Sequence, residues 1–324
     1  MIRFLFILTL STAVFANDDL AKQYRKMLHY SMKPLTVDKD FMEKHKDSID
    51  LGRKLFYDKS LSKNNQSSCN DCHDLNKYGT NGDYALKLRE QGKLFRDVPS
   101  IYNNKTLHMF NWDARFKKLS EKVSHSLLSE HEMANGDKES LVKRLQADKA
   151  YPPLFAKAFP KDKLNYDNIV KAIVHFQHGL VTPSAFDKFL SGDNKAMTEK
   201  ELKGAIVFDK HNCASCHTGI NFGGQMLQKM GTIIEWPNQK DKGYFHLTGK
   251  ADHKMVFRVA PLRNMMMTRP YFHDGTSTRA WDAIRKMGKH ELGTMISVED
   301  VLSIQEFLKT LTGEIPKAYI KKPE

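Results

Sequence analysis

An all-α fold with long loops is what the sequence predicts, and three features predict it. One long stretch repeats its apolar residues at helical spacing, capping signatures open two further segments, and strand alternation is weak everywhere except for candidates between Gly231 and Val259. The long stretch is Tyr166 to Val181, which sets Ile169, Val170, Ile173, Phe176, Gln177 and Leu180 near one face. Thr198 followed by Glu201 opens a later helix, and Ser297-Val298-Glu299-Asp300 opens the last one, running through Leu311 until Gly313 ends it.

At the start of the chain, Met1 to Ala16 carries one cation, Arg3, an apolar run from Phe4 to Val14, and small Ala16 ahead of Asn17-Asp18-Asp19. The run is too short to span a bilayer, so residues 1–16 read as a cleaved secretory signal and the chain as exported to the periplasm. Nothing later is apolar enough to span a membrane.

Two short elements carry chemistry: Cys69-Asn70-Asp71-Cys72-His73 and Cys213-Ala214-Ser215-Cys216-His217. C-x-x-C-H attaches c-type haem: two sulfurs bond the porphyrin and the adjacent histidine ligates iron. A four-cysteine zinc site is the competing reading, but such sites space their pairs by about 15–20 residues. Here 140 residues lie between Cys72 and Cys213, and zinc needs no histidine after each pair. The motifs use all four cysteines of the chain, leaving none for a disulfide or a thiol nucleophile. Two covalent haems c are therefore expected.

A faint repeat accompanies the motifs. Leu51-Gly52-Arg53-Lys54-Leu55-Phe56 precedes the first as Leu202-Lys203-Gly204-Ala205-Ile206-Val207-Phe208 precedes the second. The repeat implies two cytochrome c-like domains, 17–185 and 186–324, the second ending in a C-terminal tail. The boundary falls where Thr182-Pro183-Ser184 and Ser191-Gly192-Asp193-Asn194 break the helical pattern. The formal net charge of +13 on 324 residues fits either a solvated basic surface or steering of an acidic electron donor. An exported chain is not expected to meet nucleic acid.

Further anchors, in order, are Arg96-Asp97-Val98-Pro99-Ser100, Trp112-Asp113-Ala114-Arg115, Glu132-Met133, Pro261-Leu262-Arg263-Asn264, Thr268-Arg269-Pro270-Tyr271-Phe272-His273-Asp274-Gly275 and Lys286-Met287-Gly288. With the two haem motifs they make the mature chain resemble the bacterial dihaem cytochrome c peroxidase family. The resemblance implies an enzyme that reduces hydrogen peroxide with electrons from a small c-type cytochrome. It places a peroxidatic haem in the N-terminal domain and an electron-transfer haem in the C-terminal one, and family members are often homodimers.

The same resemblance implies site residues. His217 and Met287 are the axial pair of the second haem, a saturated His/Met site suited to electron transfer, although Met287 also reads as a core methionine beside Met265-Met266-Met267. Glu132 matches the acid/base that moves a proton during O–O cleavage. Ten-residue steps run from Trp112 to Lys122 and from Lys122 to Glu132. Trp112 matches the indole between the haems. A calcium ion is implied at positions corresponding to Asp97, Thr268 and Pro270, with Asp97 standing where the family has Asn. The resemblance gives no role to Arg263 or His273.

Two departures remain. Family members often carry a histidine about sixteen residues after the first haem histidine, which caps the peroxide site. Arg89 stands there, and no histidine occurs between His73 and His108. Either the first haem is open, with Arg89 stabilising charge on the departing oxygen, or Tyr84, Lys87 or Lys93 from the Asn76 to Leu94 loop caps the iron. Lys122 replaces a common Gln and could lower the pKa of Glu132. Two other functions stay in view. A dihaem oxidase like the enzyme that matures a tryptophan-derived quinone in methylamine dehydrogenase also has an open haem, but it uses Tyr where this chain has Met287. A dihaem electron carrier would keep both irons six-coordinate.

Overall fold

A computed structural model describes residues 18–26, 32–82 and 96–324. The fold is mostly helical, as expected, with one correction: Leu227–Lys229 pairs antiparallel with Val256–Arg258. The second strand lies inside the stretch flagged as weakly strand-like, and the first lies just before it. Main-chain bonds such as Met230 N to Met255 O (2.7 Å) close this ribbon.

The faint repeat proves to be a packing device. In the helix Lys46–Tyr57, Gly52 crosses the helix Tyr166–His178, and a Cβ at Gly52 would overlap the Ala172 carbonyl. In the helix Glu199–Lys210, Gly204 crosses Val298–Thr310 and meets the Ser303 carbonyl in the same way. One turn on, Phe56 packs on Phe176 and Phe208 on Phe307, each pair with centroids 5.3 Å apart. Glycine lets the backbones approach, and the aromatic one turn later fills the cleft beside the crossing. Each crossing fixes the helix that leads into a C-x-x-C-H motif.

The expected helix starts are present in different degrees. Thr198 and Glu201 form a complete capping box. Ser297 caps the Asp300 N–H, but the Asp300 carboxylate turns to His211 Nε2 at 2.8 Å, so that box is half made. The Tyr166 helix stops at His178, three residues before the predicted end. Gly179 there lies against the Tyr319 ring, leaving no room for a side chain. The stretch expected to break the helical pattern contains a short helix, Ala185–Leu190, because Ser184 and Asp187 make a capping box of their own.

Leu51, Leu55, Leu141, Leu145, Phe155, Ile169 and Ile173 centre one core, and Phe186, Phe189, Phe208, Phe222 and Phe307 another. Residues 18–26 and the tail each pack across the two cores. Tyr24, from the helical residues 18–26, is buried in the second core and donates to Asp209. The tail returns to the first half: Tyr319 stacks on Phe176 at 5.3 Å, and Tyr57 donates to the Ile320 carbonyl at 2.6 Å. No described helix is long and apolar enough to cross a membrane. The predicted signal at 1–16 lies outside the described residues.

Candidate functional site

The first motif opens with a short helix, Cys69–Cys72, capped reciprocally by Ser68 and Asp71. The turn brings the His73 N–H onto the Cys69 carbonyl at 2.9 Å. The second motif makes the same turn, with the His217 N–H on the Cys213 carbonyl at 3.0 Å. In both, a main-chain carbonyl holds Nδ1: Gly79 O at 3.1 Å from His73, and Ala260 O at 3.1 Å from His217. That bond assigns the proton to Nδ1 and leaves Nε2 as a lone-pair donor to a metal. Desolvation lowers the His73 pKa to about 4 and that of His217 below its usual value, so both rings are neutral at pH 7.

No disulfide joins the four cysteines. Burial, first among the causes, pushes Cys69 to about 12, Cys72 to about 11 and Cys213 to about 12. These are not poised thiolates. Among the described residues the two cysteine pairs do not come together in one group of His, Cys, Asp or Glu side chains. A cavity of about 440 Å³ is lined by Cys213, Cys216, His217 and Met287. Two sulfurs for covalent attachment, one imidazole free at Nε2 and one thioether form the donor set that a haem c requires. Met265 also lines this cavity, but it belongs to the second core, whereas Met287 sits outside every core cluster. The helix Ala280–Leu292 carries Met287, and the following Gly288 lies tight against Ile296.

Beside the first motif stands a carboxylate clamped by an ammonium. Lys122 Nζ lies 2.9 and 3.0 Å from the two Glu132 oxygens and 2.7 Å from Ser126 Oγ. The helix Leu119–Leu128 presents Lys122 and Ser126 one turn apart, and the turn after it returns Glu132 to them. Burial would raise the Glu132 pKa, but Lys122, hydrogen bonding and His73 outweigh it, so the net direction is down. The pair acts electrostatically on the motif: Glu132 raises the Cys69 and Cys72 thiols, and Lys122 lowers His73.

A charge cluster explains two sequence anchors. Asp113 is fully buried, 2.6 Å from Arg96 and 2.7 Å from Arg115, while Arg96 also grips Asp241 at 2.6 and 3.0 Å. The cluster fixes the segments holding Asp97 and Trp112, whose indole N–H donates to the Asp97 carbonyl at 2.9 Å. Asp97, Pro99 and Trp112 line the cavity beside His217, and the bonds of Thr80 Oγ1 to the Val98 carbonyl and of Ser100 Oγ to the Tyr78 carbonyl tie residues 98–100 to the loop whose Gly79 carbonyl holds His73. Residues 97–100 are thus a wall shared by the two histidine sites. Asp241 carried no signal of this cluster in the sequence, because Arg96, the cation it pairs with, lies 145 residues away. Ala114 takes a left-handed φ of 52° at the position where the resembled motif has Gly.

Asp97, Thr268 and Pro270 all line that cavity, and Asp97 is 6% exposed. One carboxylate with main-chain carbonyls is a hard-oxygen donor set of the type calcium takes. Arg263 has a structural place: its Nη atoms pair with both Asp187 oxygens at 2.7 and 2.8 Å, and Nε holds the Ile220 carbonyl. His273 stacks on Phe257 at 4.0 Å and meets Trp112 edge-on at 6.4 Å. Arg89, Tyr84, Lys87 and Lys93 lie outside the described residues.

A model of the di-haem cytochrome c peroxidase family matches residues 46–195. Over 287 residues the chain is 35% identical to the cytochrome c551 peroxidase of Nitrosomonas europaea, covering 87% of this chain and 85% of that protein. It is 31% identical over 262 residues to the methylamine utilization protein MauG of Methylophilus methylotrophus, covering 80% and 74%. Among solved structures, a MauG-like protein associated with microbial copper homeostasis superposes with a TM-score of 0.74 at 25% identity, over 90% of this chain and 96% of that one.

Proposed function

We propose, from the premise that this chain belongs to the di-haem cytochrome c peroxidase family, that it reduces hydrogen peroxide to water in the periplasm with electrons from a small c-type cytochrome. Cys69, Cys72 and His73 would hold one haem c, and Cys213, Cys216, His217 and Met287 the other. The bound haems supply iron that engages peroxide at the first site and passes single electrons at the second.

The protein's part is proton management and positioning. The ionised Glu132 carboxylate would take a proton from hydrogen peroxide and return it to the oxygen that departs as water, the two electrons for O–O cleavage being those the bound haems would supply. Lys122 and Ser126 fix that carboxylate for the transfer. Trp112, held by Asp97 on the shared wall, spans the ground between the two sites. Calcium on the Asp97 carboxylate and the Thr268 and Pro270 carbonyls would rigidify this wall. Arg89 is assigned the stabilisation of charge on the departing oxygen. The observation that carries the reading is the Lys122-clamped Glu132 beside the His73 motif.

Steady-state turnover of hydrogen peroxide with a reduced small c-type cytochrome tests this directly, and no turnover above that of free haem overturns it. EPR of the fully oxidised protein should show one high-spin and one low-spin ferric signal before any reductant is added. Two low-spin signals would mean a capped first iron.

Lys122 sets the pH range. Because it holds Glu132 ionised below the usual glutamate value, the acid limb of kcat/KM lies below that value too. Lys122→Gln should move the limb to higher pH, read from a pH–rate profile, and an unmoved limb removes Lys122 from this role.

The match to MauG supports a second reading, a dihaem oxidase acting on a protein substrate. Met287 on the cavity wall speaks for the peroxidase, and turnover with cytochrome and peroxide alone separates the two.

A further inference from the structure

Two buried nitrogens of residues that line the cavity beside His217 have no hydrogen-bond partner among the described residues: Arg258 Nη1 and His273 Nε2. Arg258 is 4% exposed and His273 is 2% exposed. Arg258 donates its main-chain N–H to the Trp112 carbonyl at 2.8 Å and its Nε to the Asn111 carbonyl at 3.1 Å. No carboxylate among the described residues pairs with it. Burial alone lowers its pKa, to about 10, and leaves it charged at neutral pH.

A buried, unpaired guanidinium is among the costliest features a fold can keep. Gly224, at φ +80°, lies against Leu107 and in ordinary contact with Arg258 Nη1, so a side chain there would collide with Leu107. Arg258 lines the same cavity as Cys213, Cys216, His217 and Met287. A group that attaches there and carries carboxylates would supply the missing counter-charge, and haem c carries two propionates.

We propose that Arg258 is the counter-ion for a propionate of the haem held at Cys213 and Cys216, with His273 Nε2 as a second polar contact to that anionic edge. The inference rests on the haem reading of this cavity. Arg258 is then a positioning residue with two effects. Its charge favours the reduced, less positive iron, and its bonds to Asn111 and Trp112 tie the anionic edge to the indole on the shared wall.

The test uses the holoprotein and reads a potential. Spectroelectrochemical titration of the second haem in Arg258→Met should show the reduced-to-oxidised ratio at fixed potential falling at least tenfold, a downward shift of about 59 mV for a one-electron couple. Arg258→Lys, which keeps the charge, should stay within threefold of the parent. A crystal structure of the parent holoprotein should place Arg258 Nη1 within hydrogen-bond distance of a propionate oxygen, a readout that stands even if Arg258→Met folds poorly. A ratio within threefold for Arg258→Met, or a guanidinium paired with another protein group, overturns the inference. Mass spectrometry distinguishes the failures: no covalent haem overturns the functional reading as well, whereas two haems with an unmoved potential overturn this inference alone.

Discussion

Glu132→Gln is expected to lower kcat for hydrogen peroxide by about 10²–10⁴-fold, the usual range for removing a positioned general acid/base. The substitution keeps the side-chain shape and can keep hydrogen bonds to Lys122 and Ser126, but it removes the atom that accepts a proton. KM should move little, because the loss falls on a proton transfer made in the transition state. The bland alternative is that Lys122 and Glu132 form an ordinary surface ion pair. Their side chains are 21% and 36% exposed, and exposed pairs contribute about 0–1 kcal/mol. An ordinary pair predicts a small loss of melting temperature and unchanged turnover. Measured turnover within threefold of the parent would support that alternative and remove Glu132 from the mechanism.

The helical class, both cysteine motifs and the capped helix starts could be read locally, because each depends on residues within one or two turns. The repeat could be seen but not understood. Gly52 and Gly204 matter through Ala172 and Ser303, about 100 residues or more distant, and no local pattern names those partners. Asp241 stayed invisible for the same reason, a carboxylate in a loop recruited by Arg96 from far along the chain. The packing of residues 18–26 and of the tail across the two cores had no local signal. Residues 18–26 and the tail lie outside the repeat and pack where apolar surface remains, Tyr24 on the second core and Tyr319 on Phe176. Arg258 gave no signal because an arginine in a short strand reads as solvated until its burial is known.

Asp187→Ala should be the most destabilising substitution outside the two motifs. The carboxylate accepts from Leu35 N at 2.7 Å, Ser184 N at 2.7 Å and Ser184 Oγ at 2.9 Å, and pairs twice with Arg263. Both partners of the ion pair are nearly inaccessible, at 2% and 5% side-chain exposure. Removing one leaves a buried guanidinium without its counter-charge, a loss of about 3–5 kcal/mol. At 2–4 °C per kcal/mol the melting temperature of the holoprotein should fall by roughly 6–20 °C in calorimetry. Replacing both partners, as Asp187→Leu with Arg263→Met, should recover part of this loss, because no unpaired charge then remains. Recovery should be incomplete, since the Leu35 and Ser184 N–H groups lose their acceptor in either case. The damage should also reach the second site. Arg263 Nε holds the Ile220 carbonyl three residues after His217, so the loop that aims the imidazole loosens with the pair. Haem occupancy at Cys213 and Cys216 should therefore fall in Asp187→Ala while that at Cys69 and Cys72 is retained. Equal loss at both motifs would instead make Asp187 a support of the whole fold.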